Sequence, residues 1–217
     1  SLGSVMLPRV SNLLSSGNQK AVNKLHEMSF LVYNLVIFPM IAGIWIVNKD
    51  FVNFFLGQDF QDARYAIAIM VFRMFFIGWT NIMGIQILIP HNQNKEFMIS
   101  TTAPAIISVG LNLLFLPKLG YIGAAIVSVL TEALVWAIQL YFTRRYLKEV
   151  PIIGSLTKIV LASAIMYGIL LGSKTVIHFS PTLNVLVFAV LGGIIYLFAI
   201  LSMKVVDVKE LKQIIKK

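Results

Sequence analysis

YIGAAIVSVLTEALVWAIQLYF, residues 121–142, is the stretch that decides how this chain folds. Its 22 residues carry a single charge, Glu132. About 20 mainly apolar residues in one helix reach across the hydrocarbon core of a bilayer. The stretch therefore reads as a membrane-spanning helix. Glu132 is twelfth of the 22, near the middle, where a short carboxylate cannot reach the headgroups. A charge at that depth costs about 2.5–3.5 kcal/mol on insertion scales, so it faces a protein interior, a watery cavity or an opposite charge rather than lipid.

The rest of the chain follows the same pattern. Of its 217 residues 58% are apolar and 12% charged, and the charges gather between apolar runs. A soluble domain is about one quarter charged, so the expected class is an all-α, polytopic membrane helix bundle. Six spans are predicted: Met28–Val47, Tyr65–Ile89, Phe97–Leu116, Tyr121–Phe142, one within Ile153–Val176, and Leu183–Met203. Pro39 and Pro104 lie inside spans, where kinks are tolerated. Residues 10–27 read as a polar, basic loop with an amphipathic helix. Residues 50–64, with Phe51, Phe54 and Phe55 at helical spacing, read as a short helix lying in the interface. The opening SLGSVML reads as the end of a preceding helix, so the chain is expected to be a fragment.

Five parts are expected: a helix end and cytoplasmic loop at 1–27, four core spans at 28–142, a basic cytoplasmic loop at 143–158, two peripheral spans at 159–203, and a basic tail at 204–217. Ala164, Gly168 and Gly172 form a small-xxx-small pattern that would allow close helix packing in the peripheral pair.

The net charge of +9 points to lipid headgroups and membrane orientation rather than to nucleic acid, because lysine and arginine flank the spans. Thirteen of them fall on the side that holds both ends of the chain and four on the other. Cytoplasmic loops collect such residues, so both ends are expected in the cytoplasm, as an even number of spans requires.

Three successive spans carry polar stripes. The second places Arg73, Thr80 and Gly84 on one face, with Asn81 and Gln86 beside it. The third aligns Thr101, Pro104, Ser108 and Asn112. The fourth aligns Ala124, Ser128, Thr131, Glu132, Val135 and Gln139. Stripes on three neighbours suit a hydrated path. Arg73, Glu132, Asn81, Asn112 and Gln139 are therefore the candidate substrate-contacting residues. Two plainer readings stay open. Arg73 and Glu132 can form a structural ion pair, and Asn112 and Gln139 can bond between helices.

Other chemistry is poorly supported. There is no cysteine, which removes disulfides and thiolate metal sites. Asp59 and Asp62 stand alone and suit capping better than metal. His26, His91 and His178 fall in separate connections, so no metal site is expected. No phosphate-binding loop, dinucleotide loop, serine-hydrolase elbow or zinc-protease motif occurs, and no cofactor or catalytic residue is expected.

Three segments resemble known sequences: LPRVSNLLSSGN at 7–18, FFLGQDFQDA at 54–63, and LNLLFLPKLGYIGAAIVSVLTEALVWAIQL at 111–140. In order and spacing they resemble polysaccharide flippases of the multidrug/oligosaccharidyl-lipid/polysaccharide exporter superfamily. The resemblance implies a C-terminal lobe and terminal helices, working with an N-terminal lobe to move an undecaprenyl-diphosphate-linked oligosaccharide across the bacterial cytoplasmic membrane by alternating access. It implies no enzymatic step, and a role in capsule, exopolysaccharide or O-antigen assembly. Membrane lipids and a polysaccharide polymerase are the further partners it implies. Arg73 would meet the diphosphate, and Glu132 would balance it or serve ion coupling. The alternatives are an ion-coupled drug antiporter of the same superfamily and a membrane enzyme of the same pathway; short outward connections disfavour the enzyme.

Overall fold

A computed structural model describes residues 2–175 and 179–205, and every regular element among them is helical. His178 and the tail lysines 209, 212, 216 and 217 lie outside the described residues. The helices are α1 (Leu2–Ser15), α2 (Gln19–Phe55), α3 (Ala63–Asn81), α4 (Asn94–Leu147), α5 (Ile152–Ser173) and α6 (Pro181–Ser202). Five helical stretches are long and apolar enough to cross a membrane: α2, Ala63–Leu88, α4, α5 and α6.

The first break is local chemistry. Gly17 takes φ +72, and the Asn18 N–H donates to the Leu13 carbonyl at 3.0 Å, which satisfies one of the free carbonyls at the end of α1. Asn18 Oδ1 then accepts the Ala21 N–H at 3.2 Å and caps α2. Val10, Val22 and Leu25 close over this corner. The segment 10–27, expected as a loop with an amphipathic helix, is almost wholly helical, interrupted only at Ser16–Asn18.

At the other end, α2 runs on through Phe55 because nothing breaks it before Gly57, at φ +88. The separate interfacial helix expected at 50–64 does not form. Its residues finish α2, and Gln58–Phe60 make one 3₁₀ turn.

α4 is 54 residues long and contains one non-helical residue, Gly120, at φ 56 and ψ −138. A side chain at that angle is strained, so glycine is required for the break. Ser100 and Gln139 lie at nearly equal chain distances from Gly120 and hydrogen-bond to each other at 3.2 Å, so the two halves of α4 lie side by side. The expected third and fourth spans both fall within this one element.

The chain divides into two compact units. Unit 1 is Ser1–Tyr33 with Tyr65–Ile152, and unit 2 is Asn34–Arg64 with Ile153–Lys217. In unit 1, α3 passes directly into a π-helical segment, Ile82–Leu88. Gly78 lies against the Tyr33 ring, where a Cβ has no room, and the Tyr33 hydroxyl donates to the Met74 carbonyl.

Unit 2 is built from the outer part of α2 with α5 and α6. It buries Ile37, Ile159, Met166, Leu170 and Phe188. The Tyr196 hydroxyl donates to the Leu35 carbonyl at 2.9 Å, and Lys174 Nζ reaches Asp50 at 3.6 Å and the Ile46 carbonyl at 2.5 Å. An apolar groove of about 520 Å³ runs past Pro39, Gly43, Met166, Leu170, Gly192 and Tyr196. A Cβ at Gly168 or Gly172 would meet open space within the chain. The small-residue stripe therefore does not seat a neighbouring helix among the described residues, against the sequence expectation.

Candidate functional site

Arg73 stands midway along α3, and Glu132 on the half of α4 that follows Gly120. Arg73 Nη2 lies 2.8 Å from Glu132 Oε1, a direct ion pair between two candidate spans. The side chains keep 37% and 19% of their exposure, so the pair sits at the edge of unit 1 rather than sealed inside it. In a low-dielectric setting each charge offsets the desolvation of the other, and removing one strands its partner.

An aromatic cluster lies on the same two helices as the pair. Trp136, one turn after Glu132, has its ring centroid 5.8 Å from Phe76 and 6.3 Å from Trp79. Phe30 extends the cluster to α2, 4.8 Å from Trp79. Two donors at this interface, Arg73 Nε and Trp136 Nε1, are buried without an acceptor. Such donors are costly to leave unmade, so they remain open to an acceptor beside the ion pair.

The other candidates divide. Gln139 is buried about two turns beyond Glu132 and bonds to Ser100, which makes it a tie between the halves of α4. Asn112 donates to the Ser108 carbonyl at 2.9 Å, within its own helix. Thr101, Thr80 and Thr131 likewise bond back to carbonyls of their own helices. Asn81 is the last α-helical residue before the π segment and is half-buried. Of the stripes, only the Arg73–Glu132 pair joins side chains of two of the striped spans by charge.

The structure adds a group that sequence reasoning missed. His26, Ser29 and Gln86 are all buried to within 1% of full burial. Ser29 Oγ donates to Gln86 Oε1 at 2.8 Å, and His26 Nε2 donates to the Gln86 backbone carbonyl at 3.1 Å. A carbonyl only accepts, so Nε2 carries a proton, and Nδ1 is buried without a partner. His26 is therefore not in a connection but inside α2. Its spacing to Ser29, three residues on, puts both on one helix face; the signal was hidden by starting the first span at Met28. The π segment at Ile82–Leu88 presents Gln86 to this pair, and such segments recur at functional sites.

No group of three or more histidine, aspartate or glutamate residues that could hold a metal occurs among the described residues.

The sequence profile of the family described as lipid II flippase MurJ matches residues 1–214. An uncharacterized membrane protein of Methanocaldococcus jannaschii is 26% identical over all of this chain and 42% of its own length. The probable low-salt glycan biosynthesis flippase Agl15 of Haloferax volcanii is 20% identical over 90% of this chain and 41% of its own. A putative O-antigen transporter of Escherichia coli is 27% identical over 63% of this chain and 33% of its own. A solved structure of lipid II flippase MurJ in an inward closed conformation superposes with a TM-score of 0.76 at 18% identity, covering 92% of this chain and 41% of that one. The chain spans about two-fifths of the length of the first relatives it matches.

Proposed function

This chain belongs to the lipid II flippase MurJ family, a family of lipid-linked oligosaccharide flippases, and from that premise we propose that it forms the second lobe of a transporter that moves an undecaprenyl-diphosphate-linked oligosaccharide between the leaflets of the cytoplasmic membrane. The observation that carries the reading is the Arg73–Glu132 pair, 2.8 Å apart at the edge of unit 1 and beside two unpartnered donors. A guanidinium suits phosphate oxygens, because its planar fork donates two parallel hydrogen bonds. Arg73 holds Glu132 in the absence of substrate and exchanges it for the diphosphate when substrate enters. Asn81, Asn112 and Gln139 line or brace the path. The substrate leaves covalently unchanged, so no catalytic residue is required.

The six-span topology belongs to the same proposal. At 1.5 Å per residue, 54 residues make about 80 Å of helix, against a hydrocarbon core of about 30 Å. α4 therefore crosses twice, turning at Gly120, and the total is six. The side rich in lysine and arginine, which holds both ends of the chain, is cytoplasmic. Spans within 28–142 form the core of the lobe, and α5 and α6 are the two additional helices.

The test is export by the full-length transporter in a bacterium lacking its own polysaccharide flippase and supplied with a matched repeat unit. Surface polymer is measured against lipid-linked precursor. Export by the wild type, with intact precursor accumulating inside for Arg73→Ala, supports the proposal. Precursor that stays inside despite good expression of the wild type removes it and moves the drug antiporter reading ahead.

A further inference from the structure

Unit 1 carries a second charged feature, at the two ends of α4. Its first turn and its last turns meet in a pocket of about 300 Å³ lined by Gln93, Glu96, Tyr141, Phe142, Arg144 and Arg145. This feature is separate from the ion pair: Arg144 lies about three turns beyond Glu132 along the same helix.

The two arginines are adjacent in sequence, yet each is laid on a ring. The Arg144 guanidinium stands 4.4 Å from the centre of Tyr141, and that of Arg145 stands 4.7 Å from the centre of Tyr146. Tyr146 is itself packed on His91, with ring centroids 4.0 Å apart. Stacking on a ring face fixes the guanidinium plane and leaves its N–H edge free to donate. Neither arginine pairs with a carboxylate among the described residues, and both are exposed. The first turn of α4 adds its partial positive charge at the same place, since Gln93 makes no side-chain cap. Glu96 is the one acid in the lining and opposes the others.

The position selects the ligand class. The pocket lies at the end of an apolar span, where tyrosines mark the headgroup level. Met98, Ile99 and Tyr141 are exposed at the same end and offer apolar surface for acyl chains. Basic pockets at such ends hold the headgroups of anionic lipids. We propose that the Gln93–Arg145 pocket binds the phosphate of an anionic phospholipid headgroup, with Arg144 and Arg145 as its donors. This site is one for resident lipid and does not depend on what the protein transports.

The experiment reads lipid retention by the full-length transporter, by intact mass of protein–lipid complexes released from mixed phosphatidylglycerol and phosphatidylcholine. The wild type retains phosphatidylglycerol in preference. Arg144→Gln with Arg145→Gln lowers that preference about tenfold or more. Glu96→Gln raises it, because the opposing charge is gone; this arm decides the matter if the double variant does not fold. The proposal is overturned if the double variant retains phosphatidylglycerol like the wild type, or if Glu96→Gln weakens retention. It is also overturned if millimolar inorganic phosphate strips the lipid, which would make the pocket a simple anion site. Displacement by an equal concentration of polyprenyl diphosphate overturns it too, by making the pocket a substrate site.

Discussion

The two units of this chain solve the same problem, burying helix faces inside a membrane, with different interiors. Unit 1 packs side chains that need partners: His26, Ser29, Gln86, Ser100, Gln139 and Thr143 are all buried there. Unit 2 buries fewer of them, Asn34 and Ser163, and packs mainly side chains that need only contact, such as Ile159, Met166, Leu170 and Phe188. Between apolar helices in lipid the driving force is close packing, which is non-directional and tolerant of sliding. Hydrogen bonds and ion pairs are directional and break at small displacements. Unit 1 is therefore specified largely in register. Unit 2 is specified mainly in volume.

That contrast can be broken by substitution, and the largest effect belongs to the ion pair. Glu132→Gln leaves Arg73 without its counter-charge, and export should fall at least tenfold while protein abundance stays near wild type; full export would make the pair dispensable and erase the functional half of the comparison. Next is Leu170→Ala in unit 2. A buried leucine cut to alanine costs about 2–5 kcal/mol. Thermal unfolding of the purified transporter should drop accordingly, and export per folded molecule should not change. A loss of export without a loss of stability would show that unit 2 is more than packing.

A smaller effect is expected at Gln86→Leu. It removes the acceptor of Ser29 and leaves that hydroxyl buried, for about 1–3 kcal/mol. The paired change Ser29→Ala with Gln86→Leu should recover much of the loss, because both partners are then apolar; unfolding midpoints of the two variants decide. The smallest effect is Gly168→Ala. The new methyl meets open space, and alanine favours helix over glycine by up to about 1 kcal/mol, so stability should hold or rise slightly. A clear loss would mean that Gly168 seats a helix from elsewhere in the transporter.

Much of the fold was legible because apolar runs of spanning length leave few alternatives. α5 and α6 begin and end within three residues of the expected spans. The Arg73–Glu132 contact was one of the readings that the sequence left open: two opposite charges in lipid have few places to go, but spacing does not say that they meet. The harder residues were those whose role depends on rotation and on helix ends. Asn112 and Thr101 stand in the polar stripe of the third expected span, and both bond to carbonyls of their own helix, a contact that spacing alone does not show. His26 was misplaced because polar residues at 18–27 look like a loop, whereas Asn18 caps a helix that simply extends beyond the apolar run. The small-xxx-small stripe in α5 misled for the opposite reason: glycine spacing permits a close neighbour but does not supply one.

The π-helical segment has a consequence in phase. A residue in an α-helix advances the face by about 100°. The wider turns at Ile82–Leu88 shift the angular relation between the residues before and after them. Arg73 lies before the segment and Gln86 within it, so one helix aims its guanidinium at Glu132 and its amide at Ser29 through this local offset. Deleting a single residue between 82 and 88 would let the backbone return to regular α-helix with all its hydrogen bonds. The wide turn thus takes up an extra residue in a helix that serves two polar contacts at once, the ion pair with Glu132 and the buried amide at Ser29.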